Sequence, residues 1–254
     1  MLLAIAATLI GVFATKDGIV VAADTATRVV GTDVARIEQK VHQCGSRSVA
    51  TLNGRLVALD GAAYEGLIRA CASLDSSEPL DRQAAELAIR LAAYASELLP
   101  RGSDQFLQTL ILAGYDDAAT PAVFVAQVRW SGTQFVATVP VRRRDCVTLS
   151  GEIAAAEALR MRRQPRLFAR FFDRPDVMAI ASSAGSQAGC LKLGEAEARS
   201  FFRLAVSVTR EFASDLDVPR DMVNWPLDFI LIRPGGAVDP IQRVEELSTD
   251  RIAR

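Results

Sequence analysis

At 254 residues the chain is long enough for one large domain or two small ones, with ample length to bury a core. Half its residues are hydrophobic and 23% charged, an ordinary globular balance, and a net charge of −1 argues against a nucleic-acid or anionic-membrane partner. Cys44, Cys71, Cys146 and Cys190 lie far apart with no CxxC pair and with a single histidine, His42. A zinc site and a disulfide framework are therefore not suggested; four buried or half-buried thiols in a reducing compartment are expected.

Met1 to Ala14 is almost wholly apolar. A secretory leader is one reading, since Val12-Phe13-Ala14 resembles a small-residue cleavage site, and cleavage there would expose Thr15. The segment has no basic n-region and is too short to span a bilayer. The preferred reading is a buried strand over 3–14 that turns at Thr15–Gly18 and returns through 19–24 as a hairpin, because cleavage would delete one arm. Strands follow at 37–43, 48–53 and 55–59. Apolar residues then recur at three and four over 61–74 and 81–99, which predicts two amphipathic helices. Strands are expected at 106–115, 122–128 and 134–139, with a turn at Ser131-Gly132. A helical block over 151–172, a strand at 176–182, a long helix over 194–216 and a strand at 227–233 complete the pattern. The Arg142–Arg144 run and the residues after Val244 read as solvated surface. Hairpin-length connections speak against a parallel doubly wound sheet and for layered sheets covered by helices. No repeat or linker divides the chain, so one domain is expected over 1–254, with its core at about 3–236 and a tail at 237–254.

Three residues carry the chemistry. Lys16-Asp17-Gly18-Ile19-Val20-Val21-Ala22-Ala23-Asp24-Thr25 is a turn, an apolar strand and a carboxylate at its tip, where burial makes a charge costly unless it has a task. Lys40 interrupts a second apolar run, in a chain whose only lysines are Lys16, Lys40 and Lys192. Gly54 closes Val49-Ala50-Thr51-Leu52-Asn53-Gly54. Taken singly, Asp24 suits a turn cap, Lys40 an exposed strand residue paired with Glu38, and Asn53-Gly54 a tight hairpin turn. His42 is expected to point outward or to make a local hydrogen bond.

Together, the acid, lysine and glycine at these spacings resemble the N-terminal half of a proteasome-type β subunit, an N-terminal-nucleophile hydrolase. Leu107–Asp116 looks like the family strand ending in a glycine–tyrosine–aspartate corner. Ala122–Val128 with Ser131-Gly132, the loop Ala184-Gly185-Ser186-Gln187 and Leu227–Ile232 resemble later elements, in order. The resemblance implies an α+β fold, a four-layer αββα sandwich, a bacterial and cytoplasmic setting, and a homo-oligomer. It implies a peptide or amide substrate and no metal or organic cofactor.

In that family the nucleophile is an N-terminal threonine hydroxyl whose own α-amine takes the proton. The ion pair beside it would fall to Asp24 and Lys40, and the oxyanion N–H to Gly54. Counting back sixteen residues from Asp24 reaches Thr8. Anchoring on Gly11 instead reaches Ala7, with one extra residue placed in the Thr15–Gly18 turn. For Thr8 to act, residues 1–7 must be removed. Leu52 would line the first specificity pocket, Arg28 lies near the family's arginine position, which Ala26 occupies, and Ser186 and Asp221 would support the nucleophile. The loose counterpart of an Asp-x-x-Ser element, Asp221-Met222-Val223-Asn224, offers the Asn224 amide in place of a hydroxyl. The alternative is a catalytically silent scaffold whose uncleaved Met1–Ala7 covers the cleft as a fixed strand.

Overall fold

A computed structural model describes residues 2–6, 9–29, 35–58, 64–98, 107–116, 120–143, 147–150, 193–213 and 224–245. In chain order the strands are β1 (Leu2–Ala6), β2 (Ile10–Thr15), β3 (Gly18–Asp24), β4 (Ala26–Val29), β5 (Ala35–Ile37), β6 (Val41–Cys44) and β7 (Ser48–Ala58). Helices α1 (Glu65–Ala72) and α2 (Leu80–Leu98) follow, then β8 (Leu107–Tyr115), β9 (Pro121–Trp130), β10 (Phe135–Ala137), β11 (Val141–Arg143) and β12 (Val147–Ser150). Helix α3 (Glu195–Ala213), β13 (Leu227–Ile232) and β14 (Gln242–Val244) complete the described elements. The expected helical block at 151–172, the strand at 176–182 and the loop at 184–187 lie outside the described residues.

The strands form two mainly antiparallel sheets among the described residues. One runs β10-β9-β8-β7-β1-β4-β5, with β11 on β9 and β6 on β7; the other runs β12-β2-β3-β13-β14. The predicted β2–β3 hairpin forms in unbroken register from Ile10↔Ala23 to Thr15↔Gly18, leaving Lys16 and Asp17 as a two-residue turn. Gly18 is required there. Its φ is +142°, and a Cβ would lie 2.3 Å from the Ile232 carbonyl oxygen. The turn also starts α3: Asp17 Oδ2 accepts the Glu195 N–H at 2.9 Å, and Glu197 reaches back to the Gly194 N–H at 2.6 Å. Carboxylates at a helix N-terminus satisfy donors that have no intrahelical partner.

Three clusters of buried apolar side chains lie between these elements. Leu67, Leu87, Leu91 and Leu110 pack α1 and α2 onto the larger sheet. Val12, Val21, Val49, Ile111 and Ile230 come from both sheets and pack between them. Phe13, Phe202 and Phe229 pack α3 onto the smaller sheet, with edge-to-face ring centroids 6.4 Å (Phe13–Phe202) and 5.8 Å (Phe202–Phe229) apart. Among the described residues, no helix is long and apolar enough to cross a membrane.

Four local expectations are corrected. The predicted single strand over 3–14 is two strands on different sheets: β1 pairs with β4 and β7, whereas β2 pairs with β3 and β12. Period-two alternation does not say which sheet a strand joins. Asn53-Gly54 is no hairpin turn, because β7 runs straight through it with β8 along one edge, Gly54 opposite Gln108. Val141–Arg143 of the arginine run is exposed as expected, yet pairs with β9, and Arg142 meets Asp116 at 2.9 Å. Finally, Cys44 and Cys71 are joined in a disulfide rather than being free thiols. They are 27 residues apart in sequence, and only the packing of α1 on β6 brings them together. Cys146 and Cys190 lie outside the described residues.

Candidate active site

The register of β7 places the site. One edge of this strand serves two partners in succession: β6 pairs with Ser48–Thr51, and β1 pairs with Gly54–Ala58. Val41, the residue after Lys40, is opposite Thr51, and Ala6 is opposite Gly54. The start of β6 and the end of β1 therefore meet across Leu52 and Asn53. Between Ala6 and Ile10 the chain leaves the larger sheet for the smaller one. Leu9, just ahead of β2, lies where Asp24 ends β3, and Lys40, just ahead of β6, meets the same carboxylate.

Asp24 is completely buried and organises this crossing. Its N–H donates to the Leu9 carbonyl at 3.2 Å, and its Oδ1 accepts the Leu9 N–H at 2.8 Å. Oδ2 accepts the N–H groups of Ala26 at 3.2 Å and Asn224 at 3.4 Å. Lys40, also completely buried, donates from Nζ to both carboxylate oxygens at 3.2 Å and to the Ala26 carbonyl. Burial pushes the Asp24 carboxyl above its ordinary range; the Lys40 charge and the N–H groups of Leu9 and Asn224 oppose it. Burial likewise pushes the Lys40 ammonium below its ordinary range, opposed first by Asp24. Each charge is tolerable in the interior because the other is present.

Asp24 thus ends its strand as expected, but it is no mere turn cap. Lys40 is not an exposed strand residue: it stands in the segment between β5 and β6, fully buried. Gly54 has φ +102°, and a Cβ there would lie 2.3 Å from the Leu107 carbonyl oxygen, so only glycine fits. Leu52 is 1% exposed, in the cluster beneath α1 and α2, and its carbonyl accepts the Tyr64 hydroxyl at 2.9 Å. Arg28 lies in β4 opposite Ile5 of β1. Thr8, Ala7, Ser186 and Asp221 lie outside the described residues. His42 does not point outward: it is 8% exposed, its Nε2 is 2.9 Å from the Gln39 carbonyl, and its ring lies 5.5 Å from that of Tyr64.

Sequence reasoning missed the backbone groups that complete the site. The Leu9 N–H and the Ala26 carbonyl carry no side-chain signal. Asn224 contributes its backbone N–H to Asp24, not its side-chain amide, whose Oδ1 accepts the Trp225 N–H at 2.8 Å. A second buried carboxylate, Asp228, was legible as a charge inside the apolar run Leu227–Ile232, the same signal that singled out Lys40.

No protein-family model matches the chain, and no curated protein matches it. Solved structures do. An Anbu (Gly-1) mutant from Hyphomicrobium sp. strain MC1 is 18% identical with a TM-score of 0.55, over 96% of this chain and 89% of that one. Anbu from the same strain is 17% identical with a TM-score of 0.58, over 95% of this chain and 89% of the other. At this identity the likeness concerns the fold alone, which is proteasome-like, with antiparallel sheets and three helices among the described residues.

Proposed function

We propose that this chain is a proteasome-type N-terminal-nucleophile hydrolase, a four-layer αββα protein that cleaves peptide or amide bonds through Thr8 once residues 1–7 are removed. One observation carries the reading. The buried Asp24–Lys40 pair is built onto the backbone of Leu9, the residue directly after Thr8. An ion pair hydrogen-bonded to that backbone holds the neighbouring residue's position and stabilises negative charge developing beside the ammonium.

The β2–β3 turn supports Thr8 over Ala7. Aligning Ala7 with the nucleophile requires an extra residue in this turn. The ladder is unbroken and the turn has two residues, the commonest and tightest hairpin loop, so it holds no evident insertion. The Thr8 hydroxyl would attack the scissile carbonyl while its freed α-amine takes the hydroxyl proton, since a terminal amine titrates near neutrality, at about 7.7–8.0. The Gly54 N–H would stabilise the oxyanion, and collapse of the tetrahedral adduct, with the Thr8 α-ammonium handing its proton to the leaving nitrogen, would release the amine product and leave an ester on Thr8. Water, deprotonated by the Thr8 α-amine, would hydrolyse that ester, releasing the acid product and restoring the hydroxyl.

Strand β1 supplies the substrate analogy. Leu2–Ala6 lies between β4 and β7, antiparallel to both, and runs toward the crossing at residue 9. Its removal would leave two facing strand edges about 9.5 Å apart, one strand's width, suited to an extended peptide. A homo-oligomer acting without metal or organic cofactor is part of the same reading. The silent-scaffold reading draws on the same strand: left uncut, β1 fills the slot and joins β4 to the rest of its sheet.

Intact mass and N-terminal sequencing of the native protein decide between them. The hydrolase reading expects a chain that begins at Thr8, hydrolyses peptide or amide substrates, and loses hydrolysis in Thr8→Ala. A chain retaining residues 2–7, with Thr8→Ala leaving assembly unchanged, supports the scaffold. A chain beginning at Ala7 overturns the assignment of Thr8.

A further inference from the structure

His42 is the one histidine of the chain, and its ring is bonded to the segment that carries Lys40. Glu38, Gln39 and Lys40 lie between β5 and β6. At one end of this segment the Glu38 N–H donates to the Thr25 carbonyl at 2.9 Å; at the other, β6 pairs with β7 from Val41 onward. His42, opposite Ala50, closes the stretch between them. Its Nε2 lies 2.9 Å from the Gln39 carbonyl oxygen. Its Nδ1 lies 3.4 Å from the Gln39 side-chain nitrogen, which also donates to the Val41 carbonyl at 2.9 Å. A carbonyl only accepts and an amide nitrogen only donates, so the ring is neutral with its proton on Nε2. Turning the Gln39 amide over would set its oxygen against the Val41 carbonyl. The ring is 8% exposed and lies 5.5 Å from that of Tyr64, whose hydroxyl donates to the Leu52 carbonyl two residues before Gly54. The plain reading is a core histidine that satisfies its own hydrogen bonds. The arrangement argues for more, because both ring nitrogens grip the residue just before Lys40 from the second residue after it. Lys40 therefore stands inside a loop closed by hydrogen bonds.

We propose that neutral His42 is a positioning residue for Lys40: it fastens the chain on both sides of that lysine, holds the ammonium on Asp24, and lets go when the ring is protonated. This rests on reading Asp24 and Lys40 as the site. The Lys40 ammonium donates to both Asp24 oxygens at 3.2 Å and to the Ala26 carbonyl, a fit that a shift of the Gln39–Lys40 backbone would spoil. A second proton on the ring sets Nδ1–H against the amide N–H of Gln39, donor against donor, and opens the loop. Burial opposes that proton and pushes the His42 ring below its ordinary range, while the bond to Gln39 and the charge of Asp228 on β13 favour it. The other charged or titratable groups about the ring are Tyr64 at the start of α1 and Glu38 and Lys40 of its own segment. The proton therefore arrives at lower pH in the folded protein than in the unfolded chain, and the fold loses stability as pH falls through that window.

The test is an acid titration of the isotope-labelled protein followed by NMR at the histidine ring and at the lysine side-chain carbon next to the ammonium. With a single histidine the ring signals assign themselves, and among Lys16, Lys40 and Lys192 the signal lost in Lys40→Arg is that of Lys40. At neutral pH the ring should carry its proton on Nε2. On acidification the Lys40 signal should move with the midpoint of the ring. Asp24 also gains a proton in acid and would move Lys40, so His42→Gln separates the two: it still offers Gln39 a donor and cannot be charged. In that variant the step at the histidine midpoint vanishes, and any step that remains belongs to Asp24. His42→Phe keeps a ring against Tyr64 but strands the Gln39 carbonyl. Its amides over residues 39–42 should exchange roughly two- to tenfold faster than those of His42→Gln. A histidine that merely fills the core predicts the reverse order, since Phe fills the space better than Gln. A ring protonated on Nδ1, a Lys40 signal blind to the ring, or a step unchanged in His42→Gln overturns the proposal. Should His42→Phe fail to fold, the wild-type chain and His42→Gln decide. The titration needs no hydrolysis, so an inactive protein would sink the enzymatic reading without touching this one. A Lys40 signal that ignores the ring would do the reverse.

Discussion

The decisive residue-scale fact is that Asp24 and Lys40 are each affordable in the interior only with the other. Two charges in a medium of low dielectric attract strongly, but each has lost its water, and the balance depends on complete hydrogen bonding. Here the carboxylate accepts from three backbone N–H groups as well as from the ammonium. Lys40→Met should therefore cost about 3–5 kcal/mol of stability at neutral pH, measured by urea denaturation, because it strands a buried charge. The pH dependence follows from the sign of the shift. Burial already raises the Asp24 carboxyl above its ordinary range, and removing the ammonium takes away the charge that opposes this. The folded variant then takes up its proton at higher pH than the unfolded chain does, so it gains stability relative to the unfolded chain as pH falls through that window. The deficit should narrow on acidification; a deficit equal at neutral and acid pH would show that the Asp24 charge is not what suffers.

At the scale of elements, β7 is the strand on which the site is assembled. It carries β8 along one edge and, along the other, first β6 and then β1. The handover occurs at Leu52–Gly54, where the positive φ of Gly54 lets the strand continue while its backbone presses against Leu107. Any side chain there must move that backbone or the strand itself. Gly54→Ala should cost about 1–3 kcal/mol in chemical denaturation, a magnitude usual for a non-glycine residue held in a disfavoured region. In the uncleaved chain it should also weaken the hold on β1, read as faster amide exchange in residues 2–6. Unchanged stability would mean that the strand relaxes without strain. Polarity alone suggests a turn at Asn53-Gly54, and the continuous pairing of both residues with β8 overrides it.

For the whole molecule, packing draws together residues that sequence distance keeps apart. Helix α1 settles on β6 and β7, so Cys44 and Cys71 fall side by side in the cluster beneath the helices. Closing a loop of 27 residues should stabilise the fold by about 3–4 kcal/mol on loop-entropy arguments. Alkylation of the denatured, unreduced protein should leave Cys44 and Cys71 unmodified, with reduction exposing both and lowering the urea midpoint. Modification of both without reduction would show two thiols.

The amino-acid sequence by itself determined the local elements: the β2–β3 hairpin from its turn and flanking apolar runs, and α1, α2 and α3 from their three-and-four periodicity. It also marked Asp24 and Lys40, since a charge at the end of one apolar run or inside another is conspicuous wherever the run is buried. Asp228 bears the same mark, inside Leu227–Ile232. The tertiary structure alone decided that residues 2–6 and 10–15 belong to different sheets, that Gly54 lies within a strand, that Cys44 meets Cys71, and that Leu9, Ala26 and the Asn224 backbone complete the Asp24 cradle. The physical reason is the range of the interactions. Turn chemistry and side-chain periodicity are set by neighbours a few positions away, whereas the choice of strand partner and the recruitment of backbone groups depend on distant segments, as with Asn224, 200 residues from Asp24.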